Sequence, residues 1–122
     1  KGFDIDKSCT FMKFINHFNN ATITGEAGDN IGRGGRSSIY FKDESAYYER
    51  PLLIESALSM NSDVKIDLST PNGIGNPFYD KRHAGKIPVF VFDWREDPRK
   101  SQEWYEHQKE SLDPVIIISE SD

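Results

Sequence analysis

The first part of the chain alternates apolar and polar positions in a way that is typical of β structure. Residues 21–26 alternate strictly, whereas residues 11–18 carry closely spaced phenylalanines that suit either a strand or a helix. Asn19 and Asn20 lie between the two segments and form a turn signal. We therefore predict an N-terminal β-hairpin over residues 11–26.

Strand-like and helix-like patterns alternate after this hairpin. Pro51 suits the first turn of a helix with regularly spaced apolar residues, and Asp97 with Pro98 forms a second helix-start signal. Buried apolar strands that alternate with helices predict an α/β fold with a largely parallel sheet flanked by helices. The pattern predicts strands at residues 37–41, 64–68, 87–92 and 115–118, helices at residues 50–60 and 97–112, and loops at residues 28–35 and 72–75.

Composition narrows the class of protein. The 122 residues allow one domain at most, or a piece of a larger one. Only 36% of the residues are hydrophobic, so we expect a thin core for a free-standing domain. The single cysteine, Cys9, excludes an intrachain disulfide framework, and we expect it to be structural because it lacks a nearby basic partner. No apolar run approaches the ~18–20 residues of a membrane span, so no membrane association is expected.

The net charge of −5 is distributed unevenly. Residues 1–100 contain as many basic as acidic side chains, and the negative excess lies in residues 101–122. An overall basic field for nucleic acid is therefore excluded. A local basic cluster between residues 81 and 100 is interpreted as ordinary solvated surface. Trp94, Trp104 and Tyr105 are expected to pack in the core or at a strand end, with stacking on nucleic-acid bases as the alternative.

Two adjacent carboxylates follow the predicted strand at residues 37–41. Asp43 and Glu44 would lie at the carboxyl end of that strand, which is the edge where open α/β sheets bind ligands. Nucleotide hydrolysis needs one carboxylate to hold Mg²⁺ and a second to orient the attacking water. Lys42 departs from the apolar residue that usually precedes such an aspartate, and must either reach the sheet edge or pair with an acid.

Two further segments contain candidate phosphate-binding groups. Ser69 and Thr70 lie at the tip of the next strand, although Pro71 alone explains why a strand stops there. The glycine-rich loop presents Arg33 and Arg36, which suit bidentate phosphate binding, whereas a mobile surface loop is the simpler interpretation. The phosphate-loop motif G-x-x-x-x-G-K-[ST] is absent, because the one Gly-Lys pair is followed by isoleucine. The three histidines lack the spacing of metal ligands.

Three segments carry a distinctive combination of motifs. They read ITGEAGDNIGRGGRSSIYFKDESA, STPNGIGNPFY and FDWREDPRKSQEWYEHQKESLDPVIIISE. In order and spacing they resemble the large terminase subunit of tailed bacteriophages, over nearly the whole chain from about Phe11. The elements DWREDPRK, WY and LDP are far more specific to that family than the two adjacent carboxylates.

The family's large subunit is an ATP-driven motor that packages DNA into a procapsid, with an N-terminal P-loop ATPase domain and a C-terminal nuclease. The resemblance implies that residues 1–122 are the second half of that ATPase domain, with the Walker A motif before Lys1 and the nuclease after Asp122. It implies a partial P-loop core for the fold. It also implies that Asp43 is the Walker B aspartate, which binds Mg²⁺ and ATP, and that Glu44 is the catalytic glutamate.

Two more roles follow from the resemblance. Ser69, Thr70 and Pro71 match the motif that couples hydrolysis to movement. Arg33 falls in the arginine-bearing loop upstream of Walker B, which in some members reaches the nucleotide of a neighbouring subunit, and Arg36 competes for that role.

The resemblance finally implies partners and a location. The partners are double-stranded DNA, the portal protein, the small terminase subunit and further copies of the chain in a homo-oligomeric ring, in the cytoplasm of an infected or lysogenic bacterial host. A non-hydrolysing prophage remnant or interaction module of the same fold is the alternative from another class. A helicase-like ATPase shares the paired carboxylates, but the DWREDPRK and EWYEHQK segments argue against it.

Overall fold

The structure, a computed structural model, describes residues 4–28 and 31–114 of the chain, and a small antiparallel sheet forms its N-terminal part. The predicted hairpin is confirmed, because Phe14 pairs with Ile23 and Ile15 with Thr22. The pattern did not predict the preceding short helix or the first strand. The elements are α1 (Ile5–Ser8), β1 (Cys9–Thr10), β2 (Lys13–Asn16) and β3 (Ala21–Thr24).

Asparagine side chains build the turn of this hairpin. The Asn16 carboxamide oxygen accepts the Phe18 N–H at 3.0 Å, and that of Asn19 accepts the Ala21 N–H at 3.0 Å. Asn20 adopts a left-handed conformation with φ of 58°, which asparagine tolerates better than most residues. Cys9 is exposed on β1, so the prediction of a structural cysteine is wrong: a strand of two residues at the sheet edge does not bury its side chains.

Two parallel strands form the part of the fold that positions the candidate site. Strand β4 (Ile39–Lys42) pairs with β5 (Val64–Asp67), with Ile39 opposite Val64 and Phe41 opposite Ile66. Helix α2 (Pro51–Ser59) connects the two strands, and Pro51 occupies its first turn as predicted. Both predicted strands and this helix are confirmed, with ends shifted by one or two residues.

The largely parallel sheet is only partly present among the described residues. They form a mixed α/β structure in which the parallel sheet has two strands and the antiparallel sheet has three. The predicted strand at residues 87–92 is wrong, because these residues join no ladder in the described structure and Phe90 is 86% exposed. A continuous apolar run indicates that burial of the segment is favourable, but a β-strand also needs an adjacent strand with free backbone N–H and C=O groups. The predicted strand at residues 115–118 lies outside the described residues.

Helix α3 (Pro77–His83) was not predicted. Its start is well defined, because the Asn76 carboxamide oxygen accepts the Tyr79 N–H at 2.9 Å and Pro77 takes the first helical position. The dipeptide Asn76-Pro77 was therefore a helix-start signal that the turn-rich surroundings obscured. This helix places basic residues, among them Lys81, in its last turn.

Helix α4 (Gln102–Ser111) begins later than predicted. Its cap is Ser101, whose hydroxyl accepts the Trp104 N–H at 3.2 Å. The predicted cap, Asp97, instead accepts the N–H of Arg99 at 3.0 Å and binds its guanidinium. The Asp97 carboxylate thus closes a separate turn and does not cap α4.

Few hydrophobic side chains are buried, as the composition predicts. Among the described residues these are Ala46, Leu58, Trp94 and Tyr105. The rings of Trp94 and Tyr105 stack at 4.6 Å, and the partly buried Trp104 packs against them. This confirms the predicted core packing for Trp94 and Tyr105. In the described part of the chain, no helix has both the length and the apolar character needed to cross a membrane.

Candidate functional site

The carboxyl ends of β4 and β5 meet at one edge of the parallel sheet. The Leu68 N–H donates to the Lys42 carbonyl at 2.8 Å, and the Ser45 N–H donates to the Leu68 carbonyl at 3.1 Å. The ladder therefore continues past both strands, into the segments that carry the predicted site residues. We name the four side chains at this edge, Asp43, Glu44, Ser69 and Thr70, the strand-end cluster.

Hydrogen bonds tie the two halves of the strand-end cluster together. The Ser69 hydroxyl accepts the Ala46 N–H at 3.2 Å, and the Thr70 hydroxyl lies 3.1 Å from the hydroxyl of Tyr47. The Tyr47 hydroxyl also donates to the Pro71 carbonyl at 3.2 Å. The segment after Glu44 and the segment after β5 are therefore hydrogen-bonded to each other.

The two carboxylates of the cluster are exposed. The Glu44 N–H donates to the Asp43 carboxylate at 3.1 Å, and Glu44 has a left-handed φ of 52°. Neither carboxylate forms an ion pair with another residue in the described ranges. Both are therefore available to a ligand from solvent.

Lys42 is completely buried directly beneath this edge. Of the two alternatives considered for it, reaching the sheet edge or pairing with an acid, the structure shows the second. Its ammonium binds Glu55 of α2 and Asp67 of β5. Lys81 of α3 reaches the same two carboxylates, at 2.7 Å from Glu55 and 3.4 Å from Asp67. We name these four side chains the lysine–carboxylate cluster; two cations balance two anions, which is how buried charge is tolerated.

This charge balance determines the protonation states around the site. Burial raises the pKa of Glu55, but hydrogen bonds from Lys42 and Lys81 outweigh it, so the net pKa lies below its usual value. Burial raises the pKa of Tyr48, and the carboxylates of Asp67 and Asp43 raise it further. The pKa of Tyr48 is therefore raised by one carboxylate from each cluster, so the two clusters lie close enough to interact electrostatically with the same side chain.

The glycine-rich loop is anchored at Gly32. Its N–H donates to the Glu26 carboxylate at 2.6 Å, and its carbonyl accepts a bond from the Asn61 amide. The Glu26 carboxylate also accepts the Tyr40 hydroxyl, and burial together with this bond raises the pKa of Tyr40 to about 12. The loop is thus linked by hydrogen bonds, through the Glu26 carboxylate, to Tyr40 of β4.

Arg33 follows this anchor and is exposed. It lines a cavity of about 440 Å³ together with Tyr47, Tyr48 and Leu53, whereas the lining does not include Arg36. Tyr47 also contacts Thr70, but the cavity lining includes none of the four side chains of the strand-end cluster. Arg36 lies exposed between the loop and β4.

Sequence reasoning missed the residues that support the site. Glu55, Asp67 and Lys81 come from three elements, and a pattern along one chain segment does not indicate that they converge. The one available signal was Lys42, since a lysine inside an apolar strand requires an acidic partner. No feature of the sequence indicated that Tyr48 lies near the site.

The strand-end cluster contains residue types that could hold a metal ion. Magnesium is commonly bound by one or two carboxylates together with phosphate oxygens and water, and Asp43 and Glu44 supply such carboxylates. In the ranges 4–28 and 31–114 no group of three or more histidine, cysteine or acidic side chains is placed to hold a metal ion.

Comparison of the chain with known protein families, with characterised proteins and with solved structures finds no match. The functional argument therefore rests on the residues themselves and on the geometry of the strand-end cluster.

Proposed function

We propose that this chain is part of an ATP-driven DNA-packaging motor, the large terminase subunit of tailed bacteriophages, and that it forms the second half of a P-loop ATPase domain. The observation that carries the proposal is the strand-end cluster, in which Asp43 and Glu44 share one sheet edge with Ser69 and Thr70. Hydrolysis of a nucleotide needs this combination of a metal-binding acid and a water-orienting acid.

Each residue has a distinct role in this proposal. Asp43 holds Mg²⁺, which when bound neutralises the charge of the ATP phosphates. Glu44 accepts a hydrogen bond from the attacking water and orients it. Ser69 and Thr70 report the state of the site, because their hydroxyls bond to the segment that follows Glu44.

Arg33 is the candidate for an arginine that acts on the nucleotide of a neighbouring subunit. Support comes from its exposure and from an anchored neighbour, Gly32, which fixes the base of the loop. Arg36 keeps the competing role. The proposed partners are double-stranded DNA, the portal protein, the small terminase subunit and copies of the chain in a ring, within the cytoplasm of the bacterial host.

The test is Glu44→Gln in the full-length protein that carries this chain. We expect ATP turnover to fall by ~10²–10⁴, the usual contribution of such a group, while ATP binding stays within a few-fold. Glu103→Gln on the exposed side of α4 is the matched control and should leave turnover unchanged. A Glu44→Gln variant with more than half the wild-type rate would refute the assignment. A folded wild-type protein that binds terminase partners without hydrolysing ATP would favour the interaction module instead.

A further inference from the structure

Ser45 carries a buried hydroxyl without a hydrogen-bond partner. The residue is 5% exposed, and its Oγ finds no donor or acceptor among the described residues. Ser62 is equally buried, at 3%, but its hydroxyl donates to the Val64 carbonyl at 2.8 Å. The indole nitrogen of Trp94 is the other unpaired buried atom in the described part, and it lies in the aromatic core.

Two unfavourable features therefore occur in consecutive residues. A buried hydroxyl without a partner is destabilising, and native proteins contain few of them. The preceding Glu44 adopts φ of 52°, a conformation that non-glycine residues rarely hold. Strain and unsatisfied polar groups concentrate where a protein binds ligands.

The backbone of Ser45 lies next to the strand-end cluster. The Ser45 N–H donates to the Leu68 carbonyl, and the next N–H, from Ala46, donates to the Ser69 hydroxyl. The side chain between these two bonds is the one left unpaired. Ser45 therefore follows the two carboxylates along the chain, and its backbone is hydrogen-bonded to the segment that carries Ser69.

We propose that Ser45 is a further ligand-binding residue, which donates its hydroxyl to a phosphate oxygen of the metal–nucleotide ligand at the strand-end cluster. This inference rests on the proposed function. Because the hydroxyl is buried in the present arrangement, the turn at residues 44–47 must shift for the bond to form.

The first measurement is thermal unfolding of the 122-residue chain. Ser45→Ala removes an unpaired hydroxyl, so we expect its Tm to rise by about 4–8 °C. Ser62→Ala, the matched control, removes a bonded hydroxyl and should lower Tm. A lower Tm for Ser45→Ala would overturn the inference, because it would show that the hydroxyl has a partner in the free protein.

The second measurement is calorimetric titration of the full-length protein with Mg²⁺ and a non-hydrolysable ATP analogue. We expect Ser45→Ala to weaken binding by about tenfold or more, the value of a hydrogen bond to a charged group, and Ser62→Ala to leave binding unchanged. Unchanged binding by Ser45→Ala would overturn the inference while leaving the proposed function intact. A wild-type protein that does not bind the analogue would refute the proposed function, and this inference with it.

Discussion

Replacing Lys42 with methionine removes one cation from the lysine–carboxylate cluster. Methionine has a similar length and can occupy the same buried site, so the main change is electrostatic. Glu55 and Asp67 then share a single cation, Lys81, whose side chain is 31% exposed. A balanced cluster becomes one with an excess negative charge.

The magnitude follows from burial. Breaking a buried ion pair by removing one partner usually destabilises a protein by ~3–5 kcal/mol. Here the Glu55 and Asp67 side chains are 27% and 15% exposed to solvent, and Lys81 still neutralises part of their charge. We therefore expect a loss of about 2–3 kcal/mol in the free energy of unfolding, at or just below the lower limit of that range.

The assay is urea unfolding followed by circular dichroism at neutral pH. Lys65→Met is the matched control on the neighbouring strand, because Lys65 is exposed and its ammonium donates to the carbonyls of Ser62 and Leu58 rather than to a carboxylate of the cluster. We expect it to lose less than about 1 kcal/mol. A Lys42→Met variant as stable as Lys65→Met would refute the reasoning. The double variant Lys42→Met with Glu55→Gln restores neutrality and should recover part of the loss.

The same cluster predicts a pH dependence. Since the pKa of Glu55 is lowered in the folded protein, its contribution to stability is present above the usual pKa of ~4.3 and is lost as the pH falls below it. In Lys42→Met the pKa of Glu55 is less depressed, so stability should fall less steeply below about pH 4.5. Unfolding curves at a series of acidic pH values measure this slope, and identical slopes would contradict the assignment.

Two further substitutions test the loop and the turn before α4. Gly32→Ala places a Cβ 2.9 Å from the Cβ of Ala57, at a backbone φ of +82°, so urea unfolding should show a loss of about 2–3 kcal/mol in stability. The control Gly35→Ala places its Cβ in open space and should lose about 1 kcal/mol, and equal losses for the two variants would contradict the packing argument. Bonds from the Arg99 side chain and N–H hold the pKa of Asp97 at about 2, so Arg99→Ala should raise it toward ~3.9 in a carboxyl NMR titration, and an unchanged pKa would show that the side chain contributes nothing.

Local signals predicted the elements whose ends are made by nearby residues. The hairpin turn depends on Asn19 and Asn20, and the start of α2 depends on Pro51, so both were readable along the chain. The start of α4 was misplaced because two capping signals compete there. Asp97 binds Arg99, and Ser101 is left to cap the helix.

The site divides in the same way. The sequence by itself determined that Asp43 and Glu44 follow one strand and that Ser69 and Thr70 follow another. Parallel pairing then brings them to a single edge, which is a consequence of register rather than of either segment alone.

Only the tertiary structure decided how charge and burial are arranged beneath that edge. Lys42 indicated that an acid must be near, but long-range packing of α2, β5 and α3 selected Glu55 and Asp67 and added Lys81. Residues 87–92 show the converse, since their apolar pattern predicted a strand that no neighbour in the described structure pairs with. Periodicity records what each segment can bury, whereas pairing of strands and of buried charges depends on groups distant in the chain.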